Sequence, residues 1–409
     1  MPDRHHPSSQ LPRRPDASFS PAIRSASLAK RGLDLVRTLD WDYRQVVPEE
    51  VFFAKVSANG QVCRGLDGPS REHHIIEVRD LCDEKKPAIS IVAPAQWEYC
   101  DEAGTWRRTR EGHVAEAAVS VAWSPCGRYL VSGSGNHERA LRLFDIARRA
   151  FVEVLGSHKD DLYHLAWSPD GRYLASASTG YDPRLRLWRC DWDPTSTLFG
   201  PTLRRITALC ELTELDEHPQ QWLDKQSHSW RGLGGFTAMA FRPNGSDLAA
   251  VAILRDAPDL LVVLRLPDLI EHCRIVASSK SHIRDLCWSR AGDQLLFTCD
   301  GRVFTAEVKS FAHVQPEQTG VYADLCAVHL RADLVAFAQG RYEGGAYVGG
   351  LVEIREWPSL SAVSHYVCPS GVCDLSWSAD GTALWALCKL GGVAEYRNRP
   401  SGSTAPPRA

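Results

Sequence analysis

The sequence predicts an all-β fold assembled from repeated sheet units, and three observations carry that expectation. One is the stretch from Tyr163 to Trp188, YHLAWSPDGRYLASASTGYDPRLRLW, which reads as three strands and their turns. Another is its near-repetition from Val119 to Phe144, VSVAWSPCGRYLVSGSGNHERALRLF, at a step of 44 between Trp123 and Trp167. The last is a series of fainter copies that carries the step along the rest of the chain.

Each part of the unit has a local cause. Tyr163 to Trp167 alternates toward one apolar face, as a half-buried strand does. Ser168-Pro169-Asp170-Gly171 is a reverse turn: Pro presets φ, Asp bonds back to the backbone, and Gly takes the positive φ. Tyr173 to Ser178 is small and apolar, which suits a strand covered on both faces. After the polar break at Gly180-Tyr181-Asp182-Pro183, Leu185-Arg186-Leu187-Trp188 alternates again as a third strand. Three such strands cannot bury their own faces, so the unit needs neighbours.

The neighbours are FTAMAFRPNGSDLAAVAIL from Phe236, IRDLCWSRAGDQLLFTC from Ile283 and VCDLSWSADGTALWALC from Val372. Their anchors, Phe241, Trp288 and Trp377, leave 89 residues between the last two, about twice the step. ADLCAVHLRADLVAFA from Ala323 fills that interval, with Ala327 in the anchor position. A cryptic first unit begins near Ile75-Ile76-Glu77-Val78, with Ala88 to Val92, Gln96 to Tyr99 and Thr105 to Arg108 as its further strands. Anchors near 78, 123, 167, 241, 288, 327 and 377 make seven units.

A period of 40 to 45 residues with the W-S-P-D-G turn, Leu-Arg-Leu-Trp in the third strand and a His before the first resembles the WD40 family from about residue 71 to 398. The resemblance implies a single closed β-propeller of seven four-stranded blades. It also implies a buried hydrogen-bonded set tying blade three together: His158, Ser178, Asp182 and Trp188. In blade two, His113 and Phe144 match the pattern, while Glu138 stands where Asp is expected. In propellers of this kind an N-terminal strand commonly completes the last blade. The hairpin signal at 51–64, VFFAKVSANGQVCR, is placed to do so, because the last unit supplies only three evident strands.

Residues 41–398 are therefore expected to form the propeller. Residues 1–40 read as a Pro-, Ser- and Arg-rich disordered leader with a loosely helical docking segment at 23–40, and 399–409 as a disordered tail. The interval from Trp167 to Phe241 exceeds one blade, which marks 189–235 as an insertion after blade three. Within it, Leu203 to Leu209 supplies the outer strand and 210–231 a long loop holding Trp222 and Trp230. Gly340 to Gly350 reads as a hairpin tip with Tyr342 and Tyr347, not as a phosphate loop, because no Lys-Ser or Lys-Thr follows and a strand comes next.

Composition narrows the function. Lys and Arg number 47 against 50 Asp and Glu, a net charge of −3 that gives no bulk reason to expect a nucleic acid or an anionic membrane. No apolar run approaches the ~20 residues that span a bilayer, and the N-terminus lacks the apolar core of a secretory signal. A cytoplasmic location is the expectation, with a mitochondrial presequence as the second reading of the acid-poor leader. The thirteen cysteines are scattered, with no C-x-x-C, and read as reduced core thiols.

No catalytic constellation emerges: there is no G-x-S-x-G elbow, and His164 and Asp285 stand isolated among apolar first-strand positions. The expectation is a monomer without enzyme activity, metal or cofactor that binds proteins as a scaffold in a multiprotein assembly. The alternative is a propeller enzyme, or one binding a small ligand or metal in its channel. Loops at the channel mouth are where recognition concentrates on a rigid scaffold. The candidate contact residues there are Arg139, Asp160, Asp161, Tyr163, Tyr181, Arg184, Trp222, Trp230, Arg284, Tyr342 and Tyr347, since aromatic groups and Arg dominate interface energies.

Overall fold

The fold is given by a computed structural model. It describes residues 33–39, 54–94, 98–100, 106–108, 118–193, 201–212 and 233–398, apart from short stretches at 58, 68–72, 84, 136–138, 159–160, 181–182, 255–257, 277–281, 309–311, 315, 330, 344–345, 369 and 389–392.

The described residues are strands joined by turns, arranged as seven four-stranded antiparallel units, the third and fourth of which are joined into one sheet by the pairing of Thr179 with Gly235. After β1 (Leu33–Leu39), the first is β2 (Ala54–Val56), β3 (Gln61–Asp67), β4 (His73–Asp80) and β5 (Ile89–Pro94). A separate hairpin follows, β6 (Glu98–Cys100) with β7 (Trp106–Arg108). The second unit is β8 (Ala118–Trp123), β9 (Tyr129–Ser134), β10 (Ala140–Asp145) and β11 (Ala150–Ser157). The third is β12 (Asp161–Trp167), β13 (Tyr173–Thr179), β14 (Leu185–Asp193) and β15 (Thr202–Leu212).

The fourth comprises β16 (Leu233–Phe241), β17 (Asp247–Leu254), β18 (Leu260–Arg265) and β19 (Ile270–Val276). The fifth uses β20 (Ile283–Trp288), β21 (Gln294–Cys299) and β22 (Arg302–Glu307). Its chain then leaves to lay β23 (Ala312–Val314) parallel along β19, and returns as β24 (Glu317–Tyr322). The sixth is β25 (Leu325–Val328), β26 (Leu334–Glu343), β27 (Ala346–Glu356) and β28 (Ala362–Cys368). The seventh is β29 (Val372–Trp377), β30 (Ala383–Cys388) and β31 (Val393–Asn398), completed by β1 on its outer edge.

These units are blades, because the apolar core lies between them. Seven buried clusters each join two consecutive sheets, and the one uniting Val56, Val62 and Leu81 with Ala383, Trp385 and Leu387 joins the seventh to the first. The innermost strands follow the same cycle, with β2 beside both β8 and β29. A closed propeller results, and its second strands are covered on both faces: β9 and β30 are buried at every position.

The turn after each first strand sets the register. Gly171 lies at φ +73°, its N–H reaches Ser168 O at 2.9 Å, and Ser168 Oγ both donates to Asp170 Oδ1 and accepts the N–H of Tyr173. The same turn recurs at Gly127, Gly245, Gly292 and Gly381. Blade six lacks the glycine and uses an imidazole: His329 Nδ1 accepts the N–H groups of Arg331 and Ala332 at 3.0 and 2.8 Å. Its other nitrogen is therefore the protonated one, and it donates to Gly381 O in the next blade at 3.0 Å.

Several expectations are corrected by this geometry. The hairpin at 51–64 does not close the last blade. Ser57, Asn59 and Gly60 form the same turn as Ser168 to Gly171, with Gly60 at φ +76° and Gly60 N–H on Ser57 O, so β2 and β3 open blade one. Val56, not a residue near 78, holds that blade's anchor position, and Ile75 to Val78 lies in its third strand. The ring is closed by Leu33–Leu39, assigned from sequence to the leader and its loosely helical segment, because that strand covers the open edge of β31. Trp106–Arg108 pairs with Glu98–Cys100 instead of forming blade one's outer strand. In blade six the anchor is Val328, since His329 N–H bonds Leu334 O as Ser289 N–H bonds Gln294 O. The outer strand of blade three runs on to Leu212, past the expected loop start at 210.

Candidate functional site

An antiparallel meander brings the starts of its first and third strands and the ends of its second and fourth to one edge. In blade three Asp161 pairs with Thr179 and Leu185 with Leu212, so Asp161, Tyr163, Arg184 and Glu211 gather at that edge. The Tyr163 hydroxyl donates to Asp161 Oδ2 at 3.2 Å, and the ring remains 38% exposed, large for an aromatic side chain on a first strand. Arg184 Nη1 and Arg186 Nε take the two oxygens of Glu211 at 2.7 and 2.9 Å. Two guanidinium groups against one carboxylate leave this ion-paired group net positive.

Blade two meets this patch from one side. Arg139 sits at φ +49°, its N–H on Gly135 O and its carbonyl accepting His158 N–H at 3.0 Å. A Cβ at Gly135 would lie 3.5 Å from Asp161 Oδ1, so the turn packs directly on that carboxylate. Arg284 stands apart at the joint of blades five and six, 3.4 Å from Asp324 Oδ1. Tyr342 and Tyr347 are backbone partners on the long β26–β27 hairpin. Asp160, Tyr181, Trp222 and Trp230 lie outside the described residues.

The axis of the ring holds a second group that sequence reading caught only in part. The position three before the anchor is Ser120, His164, Asp285 and Asp374 in blades two, three, five and seven. Three of these side chains reach the innermost strand of the following blade. Ser120 Oγ donates to Leu162 O at 2.5 Å, Asp285 Oδ2 accepts Cys326 N–H at 2.9 Å, and Asp374 Oδ2 accepts Val56 N–H at 3.3 Å. Burial pushes the Asp285 carboxyl up to about 6 and raises that of Asp374, while the Lys55 charge works against both. Burial, with a smaller contribution from Lys55, takes His164 down to about 3, so this imidazole is neutral at physiological pH. Among the described residues no three His, Cys, Asp or Glu side chains are placed to hold a metal ion.

The buried set of blade three differs from expectation by one serine. His158 Nε2 and Trp188 Nε1 both hydrogen-bond the hydroxyl of Ser176, at 2.8 and 2.9 Å. Ser178 lies on the same face two residues on, but its oxygen accepts the N–H of Arg184 and so closes the β13–β14 turn. Period two makes the two serines alike in sequence, and only pairing register separates them. Asp182 and His113 are outside the described residues, and Phe144 is fully buried against Phe151.

Blades two and three coincide with matches to known proteins: residues 104–145 and 149–189 each match the family model for the WD domain, G-beta repeat. Those two stretches are WD40 repeats. The two matched stretches span blades two and three, where the WD40 turn and the Leu-Arg-Leu third strand are most complete. A chain of the crystal structure of the mitotic checkpoint complex is similar across 94% of this chain and 98% of its own, with TM-score 0.58 and 14% identity. At that identity the likeness is one of fold. Comparison with curated proteins finds no significant match.

Proposed function

We propose that the chain is a non-catalytic WD40 scaffold that docks protein partners on the face carrying Tyr163, Arg139, Arg184 and Arg284. The observation that supports this most directly is the patch where blades two and three meet. It joins an exposed tyrosine ring, a carboxylate already oriented by that ring's hydroxyl, and a positively charged Arg184–Glu211–Arg186 group, all on strands fixed by the ring. Rigid elements presenting aromatic and Arg side chains bind proteins at low entropic cost. The polar groups nearest the axis support the same reading, because Asp285 and Asp374 are engaged in holding blades together. The similar checkpoint chain belongs to a multiprotein complex, in keeping with a docking role.

The test is affinity capture from native lysate with three forms of the full chain: unaltered, Tyr163→Ala with Arg284→Ala, and Arg204→Ala on the outer strand of blade three as a control. Circular dichroism first establishes that all are folded. A stoichiometric partner retained by the unaltered and control chains and lost by the double variant supports the assignment. Equal retention by all three would refute this face as the docking surface.

A further inference from the structure

Blades five and six carry a pair of thiols that the docking face does not use. Cys287 on β20 and Cys326 on β25 come from neighbouring innermost strands. Their Sγ atoms are 3.2 Å apart, with the Cys287 thiol donating, and neither is in a disulfide. Asp285, two residues before Cys287, fixes the register by accepting Cys326 N–H, so the two sulfurs are presented to each other by backbone. Cys287 is half-buried, whereas Cys326 is only 7% exposed.

We propose that Cys287 and Cys326 form an oxidisable dithiol: Cys287 reacts first with a peroxide, and Cys326 resolves the product to a disulfide linking the two blades. In the first step the Cys287 thiolate attacks one peroxide oxygen, the O–O bond breaks and hydroxide leaves, giving a sulfenic acid. In the second, the Cys326 sulfur attacks the Cys287 sulfur and gives up its proton. The S–S bond forms, the S–O bond breaks, and the hydroxyl departs with that proton as water. Two thiols lose two electrons, and one hydrogen peroxide becomes two waters.

The order of reaction follows from access. An oxidant meets the more exposed sulfur first, and the Cys287 sulfur beside it, together with burial, holds the Cys326 thiol well above its ordinary pKa. Closing the 3.2 Å gap to a bond of about 2.05 Å takes about 1.2 Å of movement, within reach of small χ1 changes on both residues. A second thiol pair offers an internal comparison. Cys368 and Cys388 belong to the same buried cluster between blades six and seven, and at 0% and 4% exposed both are less accessible than the half-buried Cys287.

The experiment treats the folded full chain with a small excess of hydrogen peroxide, alkylates the remaining thiols under denaturing conditions and maps the tryptic peptides. Trypsin cuts after Arg284 and Arg290, and after Lys309 and Arg331, so each thiol falls on a peptide with no other cysteine. The expected result is a linked pair of 285–290 with 310–331, a loss of two titratable thiols per chain reversed by dithiothreitol, and Cys368 and Cys388 still alkylated. In Cys326→Ser, dimedone should label Cys287. The proposal is overturned if Cys287 proceeds to sulfinic acid while Cys326 stays alkylated, if Cys368 and Cys388 oxidise first, or if both 287 and 326 remain free after other thiols have reacted. Mapping of the unaltered chain decides this even if the variant does not fold.

Discussion

The carboxylate of Asp374 accepts the backbone N–H of Val56 at 3.3 Å, and by that bond the last blade holds the first strand of blade one. Val56 is buried, so its N–H has no water to turn to. Asp374→Ala should be less stable than Asp374→Asn by about 1–2 kcal/mol, since the amide keeps an acceptor and the methyl does not. Urea unfolding of both at neutral pH measures the difference.

Ser176 and Ser178 separate a buried joint from a turn. Ser176→Ala deprives His158 and Trp188 of their common partner and should cost about 2–3 kcal/mol, more than Ser178→Ala, whose lost bond spans one turn. Thermal unfolding of the pair checks the ranking, and an equal loss would return the role to Ser178.

The buried titratable groups give opposed pH dependences. His158 and His164 are held neutral by burial, below their unfolded pKa, so the stability they contribute is present above about pH 6.5 and is lost as pH falls. Asp285 runs the other way: its folded pKa of about 6 exceeds the unfolded value, so its contribution is full below about pH 4 and lost as pH rises through 6. Asp285→Asn imitates the protonated form and retains an acceptor for Cys326 N–H. It should be more stable than the parent at pH 7 by about 2 kcal/mol and equal to it near pH 4, in urea titrations across that range.

Gly381 lies at φ +74°, and a Cβ there would come within 2.4 Å of the His329 imidazole, which is itself bonded to the Gly381 carbonyl. Gly301 has nearly the same φ with open space around it. Gly301→Ala should therefore cost about 1 kcal/mol, the left-handed backbone alone. Gly381→Ala should cost about 3 kcal/mol or more, because His329 must leave the two N–H groups it accepts. Comparing the two midpoints in urea separates backbone strain from collision.

Most of the architecture was legible because three strands and a glycine turn leave a strong local signature, and Trp123, Trp167, Trp288 and Trp377 mark it in four of the blades. Three of these indoles show why the position is kept large and polar-tipped: Trp123, Trp288 and Trp377 donate to the carbonyls of Lys55, Ala240 and Ala327 in the preceding blade. The first blade was misread because Ser57 to Gly60 carries the turn without a Trp before it, leaving Val56 inconspicuous. In blade six, His329 replaces both the serine and the glycine, which displaced the anchor by one residue. The closing strand could not be read locally, since its partner lies at the other end of the chain. The candidate contact residues could be read only as residue types on loops, and the pairings Tyr163–Asp161 and Arg184–Glu211 depend on sheet register. The axial role of Asp374 was invisible for the same reason: its partner is a backbone group in another blade.

The pairing of Leu33 with Asn398 and Leu39 with Val393 sets an order of events during synthesis. β1 must wait for its partner until β31 has been made. Until then blade seven has an open edge and blade one lacks the neighbour that covers Val56 and Val62. Closure therefore waits until Val393–Asn398 has emerged, and until then the nascent chain exposes an edge strand and an apolar blade face.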